Sequence, residues 1–195
     1  MKLLYQPASP FVAKVRMAAA HAGMEVEAVV SDATHEAPEL LTLNPLGKIP
    51  CLVTDEGEAI YDSRVIMREI DRRSGGRLYP SKDPLPAERH EALCDGIADA
   101  AVAYQYEIRF RPEEKWERSW LDRQWGKVTR GLAVAADGTP PLDDLHAGSL
   151  ALAAVLFYLD LRYPGDWQEN VGALLDWQGR FAERHPELAA LKPSA

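Results

Sequence analysis

The first residue whose type and position suggest chemistry is a serine at the junction of two local patterns. Ser9 and Pro10 stand where the apolar residues 3–5 give way to a helical pattern. Proline is favoured at the first position of a helix, and a serine before it can accept from the unpaired N–H groups of the first turn. A hydroxyl has one donor and two acceptor lone pairs, so it can also donate to a reactive sulfur. Ser9 is therefore a helix cap, a ligand for a thiolate, or both.

The residues around this serine alternate between strand and helix up to position 76. Period-two and helical patterns, with breakers at Gly23 and Gly75-Gly76, give the order βαβαββα. A parallel crossover beside an antiparallel hairpin predicts a mixed four-stranded sheet with helices on its faces, the thioredoxin-like pattern of an α/β domain. The expected strands are 2–6, 24–30, 51–54 and 58–61, and the expected helices are 10–23, 36–43 and 62–74.

The second half of the chain has no strand pattern. Residues 77–86 contain three prolines and little periodicity, which is typical of a linker. Beyond them an all-α helical bundle is expected over 87–195, so the predicted domains are 1–76 and 87–195. The Leu150–Leu159 segment is apolar nearly all round and is expected to be the central helix. The predicted helices are 87–111, 113–136, 148–161 and 170–184.

Composition and charge exclude several classes of function. The 195 residues carry a formal net charge of -8 and no basic run, so binding to nucleic acid or to an anionic membrane surface is not expected. Cys51 and Cys94 form no C-x-x-C motif, and the N-terminus lacks a signal-peptide pattern, which favours a cytoplasmic setting. The longest apolar run is about half of the ~20 residues that a membrane helix requires.

Two motifs in the first half resemble a known family. The segments NPLGKIPCL at 44–52 and AIYDSRVIMREI at 59–70 strongly resemble the glutathione-binding half of the glutathione S-transferases. The resemblance extends through the linker LYPSKDP at 78–84 and the helical half, which matches more by pattern than by motif. It is greatest to the bacterial members that have a serine at the end of the first strand.

The resemblance implies a glutathione site at these residues. Ile49-Pro50 matches the family's cis-proline, which would leave the Ile49 main chain available to pair with an extended peptide. Asp62-Ser63 matches an acid-Ser pair at a helix N-terminus, suited to the γ-glutamyl group. Lys48 matches a position that reaches the glycyl carboxylate in several relatives. Taken alone, these residues would be an ordinary strand start, two helix caps and a surface lysine.

The resemblance also assigns a role to Ser9 and a function to the chain. The three sites together would bring the sulfur of glutathione to Ser9, whose hydroxyl would favour the thiolate while the sulfur acts as the nucleophile. The implied activity is conjugation of glutathione to small apolar electrophiles by a homodimeric detoxification transferase. The alternatives are a non-catalytic glutathione-binding or protein-interaction module of the same fold, and a glutathione-dependent isomerase or dehalogenase.

Weaker signals lie elsewhere in the chain. Tyr106 and Phe110 are candidates for the electrophile pocket, because their helix flanks the thiol site in the family. His90 and Cys94 lie four apart, but no second pair completes a site, so no metal is expected. Cys51 is expected to be a buried thiol, with a mixed-disulfide role as its alternative.

One departure from the family occurs at the start of the central helix. Many relatives have a Ser/Thr-x-x-Asp capping box at this point, whereas HAGS stands at 146–149 in this chain. An imidazole and a serine are expected to cap less well.

Overall fold

The structure is a computed structural model, and it describes residues 1–35 and 37–195. Its first part contains β1 (Lys2–Tyr5), α1 (Pro10–His21), β2 (Glu27–Val30), α2 (Pro38–Leu43), β3 (Cys51–Val53), β4 (Ala59–Ile60) and α3 (Ser63–Ser74). The predicted order βαβαββα is confirmed. Glu36, where the second helix was expected to begin, lies outside the described residues.

The four strands found in the described residues form one mixed sheet in the order β2-β1-β3-β4. β1 is parallel to β2 and antiparallel to β3, and β3 is antiparallel to β4. Successive residues of a strand point to opposite faces. Leu3 and Leu52 accordingly join the main core with α1 and α3, while Leu4 and Cys51 pack with Leu40 of α2. The predicted thioredoxin-like fold is therefore correct.

The second part of the described chain is helical. It contains α4 (Leu85–Phe110), α5 (Arg118–Asp137), α6 (Ala147–Arg162), α7 (Gly172–Arg184) and α8 (Pro186–Ala189). Every residue from 147 to 159 is buried, so the expected central helix is α6, which packs against α1 and α4. None of the helices in residues 1–35 and 37–195 has both the length and the apolar character needed to cross a bilayer.

Among the helix boundaries in this half that differ from the sequence prediction, the starts of α4 and α5 have a local explanation. α4 begins at Leu85 rather than at residue 87, since Pro86 is tolerated in the first turn of a helix. The helix predicted from 113 is interrupted: Glu113–Lys115 form a 3₁₀ turn, and α5 begins only at Arg118. The Glu117 side chain caps α5 by accepting from the Ser119 N–H at 3.3 Å, which accounts for the break.

The expectation of a poor cap on the central helix is wrong. The His146 imidazole Nδ1 accepts from the N–H groups of Gly148 and Ser149 at 3.1 and 3.3 Å. The Ser149 hydroxyl accepts in return from the His146 N–H at 3.3 Å. This is a complete reciprocal capping box, built by an imidazole acceptor in place of the usual hydroxyl.

Candidate functional site

Ser9 stands at the junction of β1 and α1 and is half-buried on the wall of a cleft. Its backbone is extended, and its Oγ accepts from the Val12 N–H at 3.3 Å as the N-cap of α1. Pro10 follows at the first helical position. The cap uses one lone pair of the hydroxyl, so the hydroxyl proton remains for a group in the cleft.

The cleft runs between the sheet and the helical half and has a volume of about 490 Å³. Lys48, Ile49 and Pro50 line one side of it, and the Ile49–Pro50 peptide bond is cis. Across the described part of the chain, no hydrogen bond engages the N–H or C=O of Ile49. This main chain is available to an extended peptide lying in the cleft.

Asn44 holds the loop before Pro50 in shape. It is 1% exposed, its amide nitrogen donates to the Lys48 carbonyl at 2.8 Å, and its carboxamide oxygen accepts from the Leu46 N–H at 3.1 Å. Gly47 has a φ of 62°, a left-handed conformation that favours glycine. The NPLG letters alone assign no role to Asn44, although a buried asparagine can hold such a turn through its side-chain amide.

Asp62 and Ser63 line the cleft where β4 leads into α3. Asp62 is the exposed N-cap of α3, and its Oδ1 accepts from the Arg64 N–H at 3.0 Å. Ser63 is the first residue of α3, and it is buried. The pair thus presents a hydroxyl, a carboxylate and the positive end of a helix to the cleft, a combination suited to an amino acid headgroup.

A buried ion network joins α1, α3 and α4 beside the cleft. Lys14 is 1% exposed, and its Nζ lies 3.0 Å from Oε1 of Glu91 and 2.8 Å from Oδ1 of Asp95. Arg64 Nε donates to Oδ2 of Asp95 at 2.9 Å, and the Tyr79 hydroxyl donates to Oε2 of Glu91 at 2.6 Å. Because Arg64 and Asp95 also line the cleft, the network fixes the start of α3 against α4.

Sequence reasoning missed this network. Its signal in the chain is faint: Lys14 interrupts an apolar run of α1, while Glu91 and Asp95 lie four apart among apolar residues of α4. Charged side chains on helices usually remain in solvent, and nothing local distinguishes these three.

The helical half supplies the opposite wall of the cleft. Tyr106 of α4 lines the cleft, together with Val102, Arg109 and, from α6, Tyr158 and Arg162. Burial raises the pKa of Tyr158, so its hydroxyl stays neutral. The sequence pattern does not single out Tyr158 or the two arginines.

The second aromatic candidate has a different place. Phe110 is not among the residues that line the cleft; its ring packs edge-on against Tyr106 at 5.2 Å between centroids.

The other reactive side chains lie outside the cleft. Cys51 and Cys94 are buried free thiols, and burial raises the pKa of both. The mixed-disulfide alternative for Cys51 is therefore disfavoured, since the thiolate is the reactive form. Burial lowers the pKa of His90 to about 4. In the part of the chain that the structure describes, no three potential metal ligands cluster.

The cleft has the elements needed to bind a small peptide and activate a thiol. It offers main-chain hydrogen bonds at Ile49, a helix N-terminus at Ser63, a cation at Lys48 and an unused hydroxyl proton at Ser9. None of these groups is itself a strong nucleophile in this setting. The geometry therefore suits a reaction in which a bound ligand supplies the attacking atom.

Comparisons with known proteins agree with this geometry. A model of the N-terminal domain of glutathione S-transferases matches residues 8–73. The chain is 34% identical over 170 residues to the uncharacterised GST-like protein YibF of Escherichia coli (strain K12), covering 83% of each chain. It is 32% identical over 146 residues to a maleylacetoacetate isomerase of Pseudomonas aeruginosa, covering 69% of this chain and 67% of that one.

A solved structure shares the whole architecture. A glutathione transferase family member from Pseudomonas fluorescens Pf-5, crystallised with bound glutathione, is 35% identical and superposes with a TM-score of 0.89. The match covers 100% of this chain and 99% of that one. The domain match includes Ser9, Pro50 and Ser63, and the match to the E. coli relative covers most of both chains. This chain therefore belongs to the glutathione S-transferase family.

Proposed function

We propose that this chain is a glutathione transferase that joins the glutathione sulfur to small, largely apolar electrophiles. The observation that supports this most is the Ser9 hydroxyl, which caps α1 and faces the same cleft as the Ile49 main chain and the Ser63 helix start. The Pseudomonas fluorescens relative, which contains bound glutathione, supports the choice of ligand.

In this proposal glutathione lies extended along the cleft. Its cysteinyl main chain pairs with the N–H and C=O of Ile49 as an added strand. The γ-glutamyl carboxylate accepts from Ser63 at the N-terminus of α3, and the ammonium group donates to Asp62. Lys48 meets the glycyl carboxylate as a point charge. These contacts bring the sulfur to Ser9.

Ser9 then stabilises the thiolate. A thiol has an ordinary pKa of about 8.5, and lowering it by two pKa units requires about 2.7 kcal/mol of preference for the anion. One hydrogen bond to a charged group contributes about 1.5–3 kcal/mol. The N-terminus of α1 adds about 0.3–1 kcal/mol. The two effects together are sufficient without a histidine base.

The reaction is a nucleophilic displacement or addition by this thiolate. The thiol proton leaves to water, and the sulfur lone pair forms a new C–S bond. In a displacement the carbon–halogen bond breaks and the halide leaves with its electron pair. The protein accelerates the step by holding both reactants together and by keeping the sulfur ionised.

Three substitutions at Ser9 test this role. Ser9→Ala should retain glutathione affinity, lose conjugation of 1-chloro-2,4-dinitrobenzene and raise the thiol pKa seen by ultraviolet thiolate absorbance. It should also cost about 1 kcal/mol of stability through the lost cap. Ser9→Asp keeps a cap acceptor but sets an anion beside the sulfur, so stability should survive and conjugation should not. Ser9→Thr should keep both the stability and the conjugation activity. Unchanged conjugation in Ser9→Ala would remove Ser9 from the mechanism.

A glutathione-dependent isomerisation is the second candidate, favoured by the 32% identity to a maleylacetoacetate isomerase. In that reaction the thiolate adds to a double bond and leaves again after rotation, so glutathione is regenerated. Measuring glutathione consumed per turnover separates the two, with one equivalent expected for conjugation and none for isomerisation.

The quaternary state and the cell compartment are part of the same proposal. A homodimer in the cytoplasm is expected from the family resemblance. Sedimentation of the purified chain tests the dimer, which should have twice the 21.6 kDa of one chain.

A further inference from the structure

The cleft has an unequal distribution of charge along α4. Asp95, Asp99, Val102, Tyr106 and Arg109 follow one another at helical spacing and all line the cleft. Since a helix rises 1.5 Å per residue, the acidic end at Asp99 and the basic end at Arg109 are about 15 Å apart.

The acidic end lies at the proposed glutathione headgroup. Arg64, which follows Ser63, pairs with Asp95 at 2.9 Å and lies 3.9 Å from Asp99. The positive charge of Arg64 is thus already matched within the protein. Glutathione adds two carboxylates and one ammonium group, which the proposed function assigns to Ser63, Lys48 and Asp62.

The positive charges at the basic end are not paired in this way. Neither Arg109 nor Arg162 forms an ion pair within residues 1–35 and 37–195, although the chain carries a net charge of -8. The Nε of Arg162 is buried and has no hydrogen-bond partner among these residues. Both arginines lie near helix C-termini, where a cation is favourable. That preference does not explain why the buried Nε of Arg162 has no acceptor. Leaving a buried donor without an acceptor carries a free-energy cost.

The surfaces around these cations are suited to a small organic acid. Phe11 and Val102 supply apolar area on the cleft wall, and Tyr106, a residue that is 54% exposed, adds an aromatic ring. Tyr158 lies one helical turn before Arg162, so its neutral hydroxyl and the guanidinium occupy one face of α6. A hydroxyl donor beside a forked guanidinium is the arrangement that carboxylates prefer.

We propose that the electrophile carries a carboxylate, which Arg162 and Arg109 receive while its apolar body lies against Tyr106. This inference rests on the proposed function, because it takes glutathione to occupy the other end of the cleft. It narrows the second substrate from apolar electrophiles in general to unsaturated or halogenated organic acids.

Binding of two matched conjugates tests the proposal without requiring turnover. Calorimetry compares the binding of glutathione with that of two conjugates, S-(2-carboxyethyl)glutathione and S-(2-carbamoylethyl)glutathione. The two conjugates differ only in that one ends in a carboxylate and the other in the neutral amide. The carboxylate conjugate should bind about 10–100-fold more tightly than the amide, the value of one charge-assisted hydrogen bond. Arg162→Gln should remove most of that difference and leave glutathione affinity unchanged, and Arg162→Lys should restore part of it.

Two further variants test the second arginine and control for the loss of one positive charge. Arg109→Gln should reduce the preference as Arg162→Gln does, and thermal melts of both verify folding. Arg123→Gln makes the same charge change at an exposed residue of α5 outside the cleft, and it should change neither affinity.

The outcomes separate the two proposals. Equal binding of the two conjugates, with glutathione bound, would overturn the carboxylate inference and leave the transferase proposal standing. Loss of glutathione affinity in Arg162→Gln would assign that cation to the glycyl carboxylate and also overturn the inference. Failure of glutathione itself to bind would overturn the proposed function.

Discussion

Replacing Lys14 by methionine tests the ion network that fixes the cleft. Lys14 donates to Glu91 at 3.0 Å and to both carboxylate oxygens of Asp95 at 2.8 and 2.9 Å, and all three residues are at most 5% exposed. Methionine has nearly the same length but no charge. The substitution therefore leaves two buried carboxylates and one cation, Arg64, where the charges had been balanced.

The expected loss of stability follows from the partners that remain. Breaking a buried ion pair by removing one member costs about 3–5 kcal/mol. Here Tyr79 still donates to Glu91, and Arg64 still donates to Asp95, so neither carboxylate is left without a partner. We therefore expect a value at the lower end, about 3 kcal/mol. For a chain of this size that corresponds to about 6–12 °C in melting temperature.

Urea unfolding followed by tryptophan fluorescence measures the change, with thermal melts in parallel. Lys82→Met makes the same charge change at an exposed residue of the 77–84 segment, and it should lie within about 0.5 kcal/mol of the unaltered chain. The triple variant Lys14→Met, Glu91→Gln, Asp95→Asn removes the unmatched charges and should recover part of the loss. A cost below about 1 kcal/mol for Lys14→Met, or no recovery in the triple variant, would refute the reasoning.

Further predictions concern the histidines and thiols. Burial lowers the pKa of His90 to about 4 in the folded chain, while an unfolded imidazole titrates near 6.5. The unfolded state then takes up the proton first, so stability should fall as the pH drops from 6.5 toward 4. About 2 kcal/mol of this loss should come from His90 by pH 5 in urea unfolding, and His90→Leu should lack that share of the dependence. His146→Ala should lower the melting temperature by about 2–4 °C through the lost cap of α6. Cys51 and Cys94 should react with a disulfide reagent only after denaturant is added, and rapid reaction of the native chain would contradict their burial.

The features that sequence could predict are those encoded locally. Hydrophobic periodicity and breakers specify the strands and helices of the first half, and the all-apolar run at 150–159 specifies which helix is central. Part of the candidate site could also be predicted from sequence, as Ser9 illustrates. Its role as a cap, and the cleft residues at 49–50 and 62–63, depend on short segments whose sequences match the family's pattern.

The features that sequence could not predict depend on contacts between distant segments. Lys14 and Asp95 are 81 positions apart, and their pairing requires α1 to pack against α4 in one particular rotation. Arg109 and Arg162 reach the same cleft only because two helices present those faces to it. A helical pattern predicts that such residues share a face with their own neighbours, but not which cavity that face meets. For the same reason Tyr106 and Phe110 were equal candidates in sequence, although only the former lines the cleft.

These long-range contacts give α4 a central place in the site. Its Asp95 is bonded to α1 through Lys14 and to the start of α3 through Arg64, so the helix is attached where Ser9 and Ser63 also lie. Tyr106 and Arg109 follow on the same rigid helix, about three to four turns further along. The distance from the proposed thiolate to the proposed carboxylate site is therefore set by helical rise rather than by a flexible loop. It follows that lengthening the electrophile between its reactive carbon and its carboxylate should lower affinity sharply once this span is exceeded.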